Sequence, residues 1–141
     1  KEGNHNSYNS GDEINKIEWS RKEKYKETYE YIKGLIALRK SQKSMTLSSA
    51  EQIKECVKFI ESPENTIAYL LRSTYEEDFQ NILIIHNANK NEVTVKLPLQ
   101  GEWKVIANEY EVNEQGVMKG TDIFQEEVKV SQLSTYILYK K

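Results

Sequence analysis

The sequence predicts a mainly β protein with helices at its N-terminal end, its strands folded as an antiparallel sandwich. Three observations carry this. Residues 65–141 break into short apolar or alternating runs with a turn signal about every 8–12 residues, enough for about seven or eight strands. Residues 21–61 instead repeat their apolar positions at helical spacing. Residues 1–20 are polar and loop-like, rich in side-chain amides and poor in aliphatic residues.

The opening loop runs from Asn4 to Trp19. Such a stretch buries little, and two readings stand open: a flexible N-terminal tail, or a binding loop belonging to a larger scaffold. Sugar recognition uses planar amides and carboxylates that bridge adjacent hydroxyls, with an aromatic ring against the C–H face of the sugar. Asn4, Asn6, Tyr8, Asp12 and Asn15 supply both kinds of group. The same residue types are also ordinary loop formers.

A first helix is expected over 21–41, opened by a capping box in which Ser20 accepts from the Glu23 amide and Glu23 reaches back. Tyr25, Tyr29, Ile32 and Ile36 form one stripe, widened by Thr28, Leu35 and Leu38, which must be buried against something. Arg39 and Lys40 suit the C-terminal end of the dipole. A second capping box at Ser48-Ser49-Ala50-Glu51 opens a shorter helix with Ala50, Ile53, Cys56, Val57 and Ile60 on one face. Cys56 lies on that stripe and reads as a packing residue. Ser62-Pro63-Glu64-Asn65 is a turn and the expected start of the β region.

In the β region, Ile67, Tyr69 and Leu71 alternate with smaller or polar neighbours. Ile82–Ile85 is apolar on both faces, as befits a central covered strand. Asn87–Asn91 is a turn. Val93, Val95 and Leu97 mark a half-exposed strand. Trp103, Val105 and Ala107 mark another, with further segments expected at about 109–113, 116–119 and 126–130 and a last one at 134–140.

Several chemistries are excluded or unsupported. A formal net charge of −2 argues against nucleic acid as a partner. The longest apolar run, Ile82–Ile85, is too short to cross a membrane. One cysteine permits no intrachain disulfide. His5 and His86 lack metal-ligand spacing, and Asn87, Asn89 and Asn91 lack the acidic ligands of a calcium loop. There is no phosphate loop, no serine nucleophile elbow and no acid positioned as a catalytic carboxylate. No cofactor is implied. With neither an initiator Met nor a signal peptide, the native N-terminus is expected to lie upstream, and the compartment, bacterial cytoplasm or secreted, stays open.

One string is more specific. Asn6-Ser7-Tyr8-Asn9-Ser10-Gly11-Asp12, followed by Asn15-Lys16-Ile17-Glu18-Trp19, resembles the segment after the last barrel strand of type I pullulanases, debranching members of the α-amylase superfamily (glycoside hydrolase family 13). Tyr31-Ile32-Lys33-Gly34-Leu35-Ile36-Ala37-Leu38-Arg39 is similar to that family's final barrel helix. Ser49–Ile53 and Leu133–Tyr139 match its C-terminal pattern. Glu18 departs from the Asp that many relatives carry before the Trp, a conservative exchange.

The resemblance covers essentially the whole chain. It implies a C-terminal fragment: the last loop and helix of a (β/α)8 barrel over 1–41, a helical connector over 42–64 and a β-sandwich over 65–141. It implies a parent enzyme hydrolysing α-1,6 linkages of pullulan and branched α-glucans with retention, through an Asp nucleophile, a Glu acid/base and a second Asp, all upstream of this chain. The fragment would then be inactive alone, with the rest of the barrel as its partner. The loop would sit at the C-terminal face of that barrel, with Tyr8 and Asp12, then Asn6 and Asn15, facing the α-glucan. Two alternatives remain for the sandwich. One is a carbohydrate-binding module displaying Trp103, Tyr75, Phe79 or Tyr110, although Trp103 is in phase with Val105 and so reads as core. The other is a structural or dimer-contact domain.

Overall fold

A computed structural model describes residues 3–140. The chain falls into two compact units, the first reaching Glu30 and the second starting at Tyr31.

The first unit contains the opening loop, a short helix α1 (Asp12–Asn15) and a one-turn helix α2 (Arg21–Lys24). The next helix, α3 (Lys26–Ser41), begins in this unit and continues into the second. The single helix expected over 21–41 is therefore interrupted at Tyr25, whose φ of −116° and ψ of 42° leave helical geometry. Tyr25 is more than half exposed, so no packing enforces a continuous helix there. The Ser20 capping box does not form. Ser20 is already helical, because the winding starts earlier, at the carbonyls of Glu18 and Trp19. The Glu18 carboxylate is held by Arg21 Nε at 2.7 Å.

In the second unit α3 buries Leu38 and half-buries Tyr31 and Leu35. The expected stripe is thus displaced: Ile32 and Ile36 stay exposed. At about 100° per residue they lie roughly a third of a turn round the helix from Leu35 and Leu38, so α3 has two apolar faces. The widening residues, not the stripe, meet the sheet. Gly34 sits where the helix runs closest to its neighbour; a Cβ there would stand 2.8 Å from Val112 Cβ.

A 3-10 turn (Lys43–Thr46) follows, then α4 (Ala50–Cys56), capped by Ser49 Oγ accepting from Gln52 N at 3.1 Å. The cap is one residue later than the Ser48 box. Cys56 is buried, as its place on the stripe required. Val57–Ile60, expected to extend this helix, is instead strand β1. Its β-branched and aromatic residues pair with β2 (Thr66–Arg72) in register Val57–Leu71 to Ile60–Ala68, which is where such residues pack best. The β region therefore starts before the Ser62–Asn65 turn.

The remaining strands are β3 (Asn81–Asn87), β4 (Val93–Lys96), β5 (Trp103–Ala107), β6 (Ile123–Phe124), β7 (Glu127–Val130) and β8 (Ser134–Lys140). All pairings are antiparallel, in a six-stranded sheet of order β1-β2-β3-β8-β5-β6 and a two-stranded sheet β4-β7. Residues 109–113 and 116–119 are not strands: only an isolated bridge, Ala107–Val112, forms there. The side chain of Asn108 arrests the chain instead, accepting from the amides of Tyr110 and Glu111 and donating to Lys119 O.

Two apolar clusters lie on opposite faces of the large sheet. Ala68, Leu70, Leu83, Ile85, Trp103, Val105 and Leu138 meet Val95, Val128 and Val130 of the small sheet. Leu71, Ile82, Ile84, Ile106 and Ile137 meet Leu38 of α3. This corrects the alternation read in β2: the residues facing the sandwich core are Ala68 and Leu70, and Ile67, Tyr69 and Leu71 lie on the other face. Ile82–Ile85 is covered on both faces, as its unbroken apolar run demanded.

Candidate functional site

The opening loop is built from its own amides. Asn4 Oδ1 accepts from the Asn6 amide at 3.0 Å, and Asn6 Oδ1 accepts from the Tyr8 amide at 3.3 Å. These successive Asx turns are the local structure that short amide side chains favour. Asn15, on α1, donates its side-chain amide to Ser7 O at 2.9 Å and Ser10 O at 2.8 Å. It thereby clasps both ends of the turn that carries Tyr8 and Asn9.

The four sugar-contact candidates divide into two kinds. Asn6 and Asn15 are engaged in shaping the loop. Tyr8 projects its ring outward, 95% exposed, and Asp12 is an exposed residue in the first turn of α1. Of these four, one aromatic ring and one carboxylate face outward, on a backbone that the asparagines fix. Trp19, just before the start of α2, is 78% exposed.

The sandwich aromatics named as possible sugar platforms differ in exposure. Trp103 is completely buried and donates Nε1–H to Leu99 O at 2.9 Å, so it is a core residue and no platform. Phe79 stacks on Tyr139 at 4.0 Å between ring centres and packs against the helix-side core. Of the named aromatics, Tyr110 is the exposed one.

Two polar centres escaped the sequence reading. Asp78, buried, accepts from the amides of Lys43 and Ser44 at 3.0 and 2.8 Å and from Ser73 Oγ at 2.9 Å. Burial alone would raise its pKa, but those donors outweigh it and hold the carboxyl below its ordinary range. Glu109 accepts from Ser131 Oγ at 2.7 Å; burial opposes its charge, and the hydroxyls of Ser131 and Tyr136 reverse the balance. Tyr136, buried beside it, is pushed up to about 12. Both centres tie loops to the sandwich. An acid held by amides or hydroxyls of residues distant in the chain leaves no periodic signature, which is why neither was singled out. Among the described residues no group of three or more His, Cys, Asp or Glu is placed to hold a metal.

Residues 53–111 match the family model described as "Pullulanase, all-beta domain". The pullulanase of Bacillus subtilis (strain 168) is 33% identical over 140 residues, 99% of this chain and 19% of that protein. The solved structure of the pullulanase from Bacillus acidopullulyticus superposes with a TM-score of 0.89 at 34% identity, over 98% of this chain and 16% of that one. The chain carries the all-beta domain of the pullulanase family.

A second solved relative, pullulanase type I from Bacillus subtilis str. 168 complexed with maltose, gives a TM-score of 0.80 at 32% identity, over 95% of this chain and 18% of that one. The chain spans about a fifth or less of the length of these pullulanases. The all-beta match runs from α4 to the turn after β5, and so includes the buried Trp103. The likeness to the Bacillus subtilis pullulanase extends over nearly the whole chain, and so takes in the loop that carries Tyr8 and Asp12.

Proposed function

We propose that this chain is the C-terminal part of a pullulanase-type debranching enzyme that hydrolyses α-1,6-glucosidic linkages in pullulan and branched α-glucans with retention of configuration. In this reading residues 1–41 are the last loop and helix of a (β/α)8 barrel, and the sandwich completes and stabilises it. The catalytic Asp and Glu residues belong to the upstream barrel, so this chain by itself is inactive. The observation that carries the reading is the 33% identity to the Bacillus subtilis pullulanase over 99% of this chain, loop included.

The second apolar face of α3 supports the same reading. Exposing large side chains such as Ile32 and Ile36 forgoes about 1.5–3 kcal/mol each relative to burial, and a helix apolar on two faces is a helix with two neighbours. Tyr8 and Asp12 are read as sugar contacts, the ring against the C–H face and the carboxylate to hydroxyls. Asn6 and Asn15 act on the sugar through the loop they hold.

The test is reducing-end release from pullulan by the full polypeptide and by the 141-residue chain. Activity is expected in the first alone. Hydrolysis by the short chain, or none by the full polypeptide, would sink the proposal.

A further inference from the structure

The short helix α1 carries two adjacent acids, Asp12 and Glu13, in different surroundings. Glu13 turns back along the chain, and its Oε1 accepts from the backbone amide of Gly11 at 3.1 Å. Asp12 is exposed, and among the described residues no hydrogen bond or ion pair engages its carboxylate. The Gly11 amide lies just ahead of α1, where backbone donors have no partner within the helix. Gly11 is the N-cap and has no side chain with which to accept. Glu13 supplies the acceptor instead, as the reaching-back acid of a capping box does.

A single turn of helix does not hold its shape in water unaided, and α1 has only 4 residues. Two of its side chains tie it to the loop: Asn15 through Ser7 O and Ser10 O, and Glu13 through the Gly11 amide. The Asn15 bonds shape the turn that carries Tyr8. The Glu13 bond closes a ring of backbone around Asp12. The residue at position 11 fits that purpose. Its φ of −74° and ψ of −174° are ordinary extended backbone open to any residue, so conformation does not call for glycine. Space does: a Cβ on Gly11 would run into Glu13 Oε2. Resting on the reading of Asp12 as a sugar contact, we infer that Glu13 is its positioning residue, holding the Gly11–Asp12 backbone so that the Asp12 carboxylate is presented to α-glucan hydroxyls. Glu13 touches no sugar, and what it must supply is an acceptor, not a charge.

The test is steady-state kinetics on pullulan with the full polypeptide carrying Asp12→Ala, Glu13→Ala, Glu13→Gln, Gly11→Ala, or Asp12→Ala and Glu13→Ala together. Glu13→Ala is expected to raise KM about fivefold, the worth of one hydrogen bond, with kcat and the melting temperature unchanged. Glu13→Gln should restore the parent KM, because its amide oxygen accepts the same bond. Gly11→Ala, which displaces the carboxylate, should match Glu13→Ala. In the Asp12→Ala background Glu13→Ala should add nothing, since it acts only through Asp12. An unchanged KM in Glu13→Ala beside a raised KM in Asp12→Ala would overturn this inference and leave the proposed function standing. So would additive losses in the double variant, or a KM in Glu13→Gln as high as in Glu13→Ala. An unchanged KM in Asp12→Ala would overturn the sugar-contact reading, and this inference with it.

Discussion

The side-chain amide of Asn15 donates to the carbonyl of Ser10 at 2.8 Å, and the same group reaches Ser7 O at 2.9 Å. A residue on α1 thus sets the shape of the turn that carries Tyr8. Asn15→Ala removes both donors at once. In the full polypeptide kcat/KM on pullulan should fall about tenfold, equivalent to about 1.4 kcal/mol. The melting temperature should change little, because the site is loop. An unchanged kcat/KM would show that the turn does not position a sugar contact.

Tyr8 makes the complementary case. Its ring is almost wholly exposed, so its loss removes no packing. Tyr8→Ala should weaken substrate binding about tenfold by KM while leaving the unfolding transition where it was, and Tyr8→Phe should retain most of the affinity. A lowered melting temperature in Tyr8→Ala would identify a packing residue instead.

Gly34→Ala sets two effects in opposition. Helix propensity alone would favour alanine by about 1 kcal/mol. The new methyl, however, would stand 2.8 Å from Val112 Cβ, and overpacking of this kind costs about 1–3 kcal/mol. The substitution should therefore lower the denaturation midpoint. Double substitution with Val112→Gly, which removes the Cβ that the methyl meets, should recover part of it, and failure of that rescue would place the cost elsewhere.

Asp78 predicts a pH dependence. Its folded pKa lies below the ordinary value, so the unfolded chain binds the proton more tightly. The stabilisation is complete above the unfolded pKa and is lost as pH falls through the folded one, from about pH 5 downward. Asp78→Asn should cost about 2 kcal/mol at neutral pH, since the amide cannot accept all three hydrogen bonds. It should also flatten the acid limb of a stability–pH curve. An acid limb as steep as in the parent would count against Asp78 as its source.

Trp103→Ala should cost about 3–5 kcal/mol, with cooperative unfolding at a lower denaturant concentration. A variant that stays as stable but loses α-glucan affinity would restore the platform reading that burial removes.

How far the sequence was legible follows from what kind of force acts at each place. Ile82–Ile85, the Val93-Val95 alternation and the last strand could be read because burial repeats with the backbone period. Val57–Ile60 could not: four residues continue a helical pattern as well as they start a strand, and only pairing with Ala68–Leu71 decides. The β2 faces were inverted because that strand is apolar on both sides, one set meeting the small sheet and the other the helices. In the loop, composition offered Asn6, Tyr8, Asp12 and Asn15 together without separating them. Whether an asparagine faces a ligand or its own backbone depends on hydrogen bonds that spacing does not encode, as Asn6 and Asn15 show. The Asp78 and Glu109 centres depend on contacts across 34 and 22 residues and have no local signal.

The strand order has a consequence for how the sheet assembles. β8 lies between β3 and β5, while β1, β2 and β3 form a meander that neighbouring residues can close early. Until Ser134–Lys140 have been synthesised, β3 and β5 each carry an open edge, and nothing joins the meander to the β5-β6 pair within that sheet. Non-local pairing of this kind is slow to form, and open edges invite pairing with other chains. The sheet is thus completed from its middle by a late segment, and the interval before that segment docks is when a nascent chain most needs protection from aggregation.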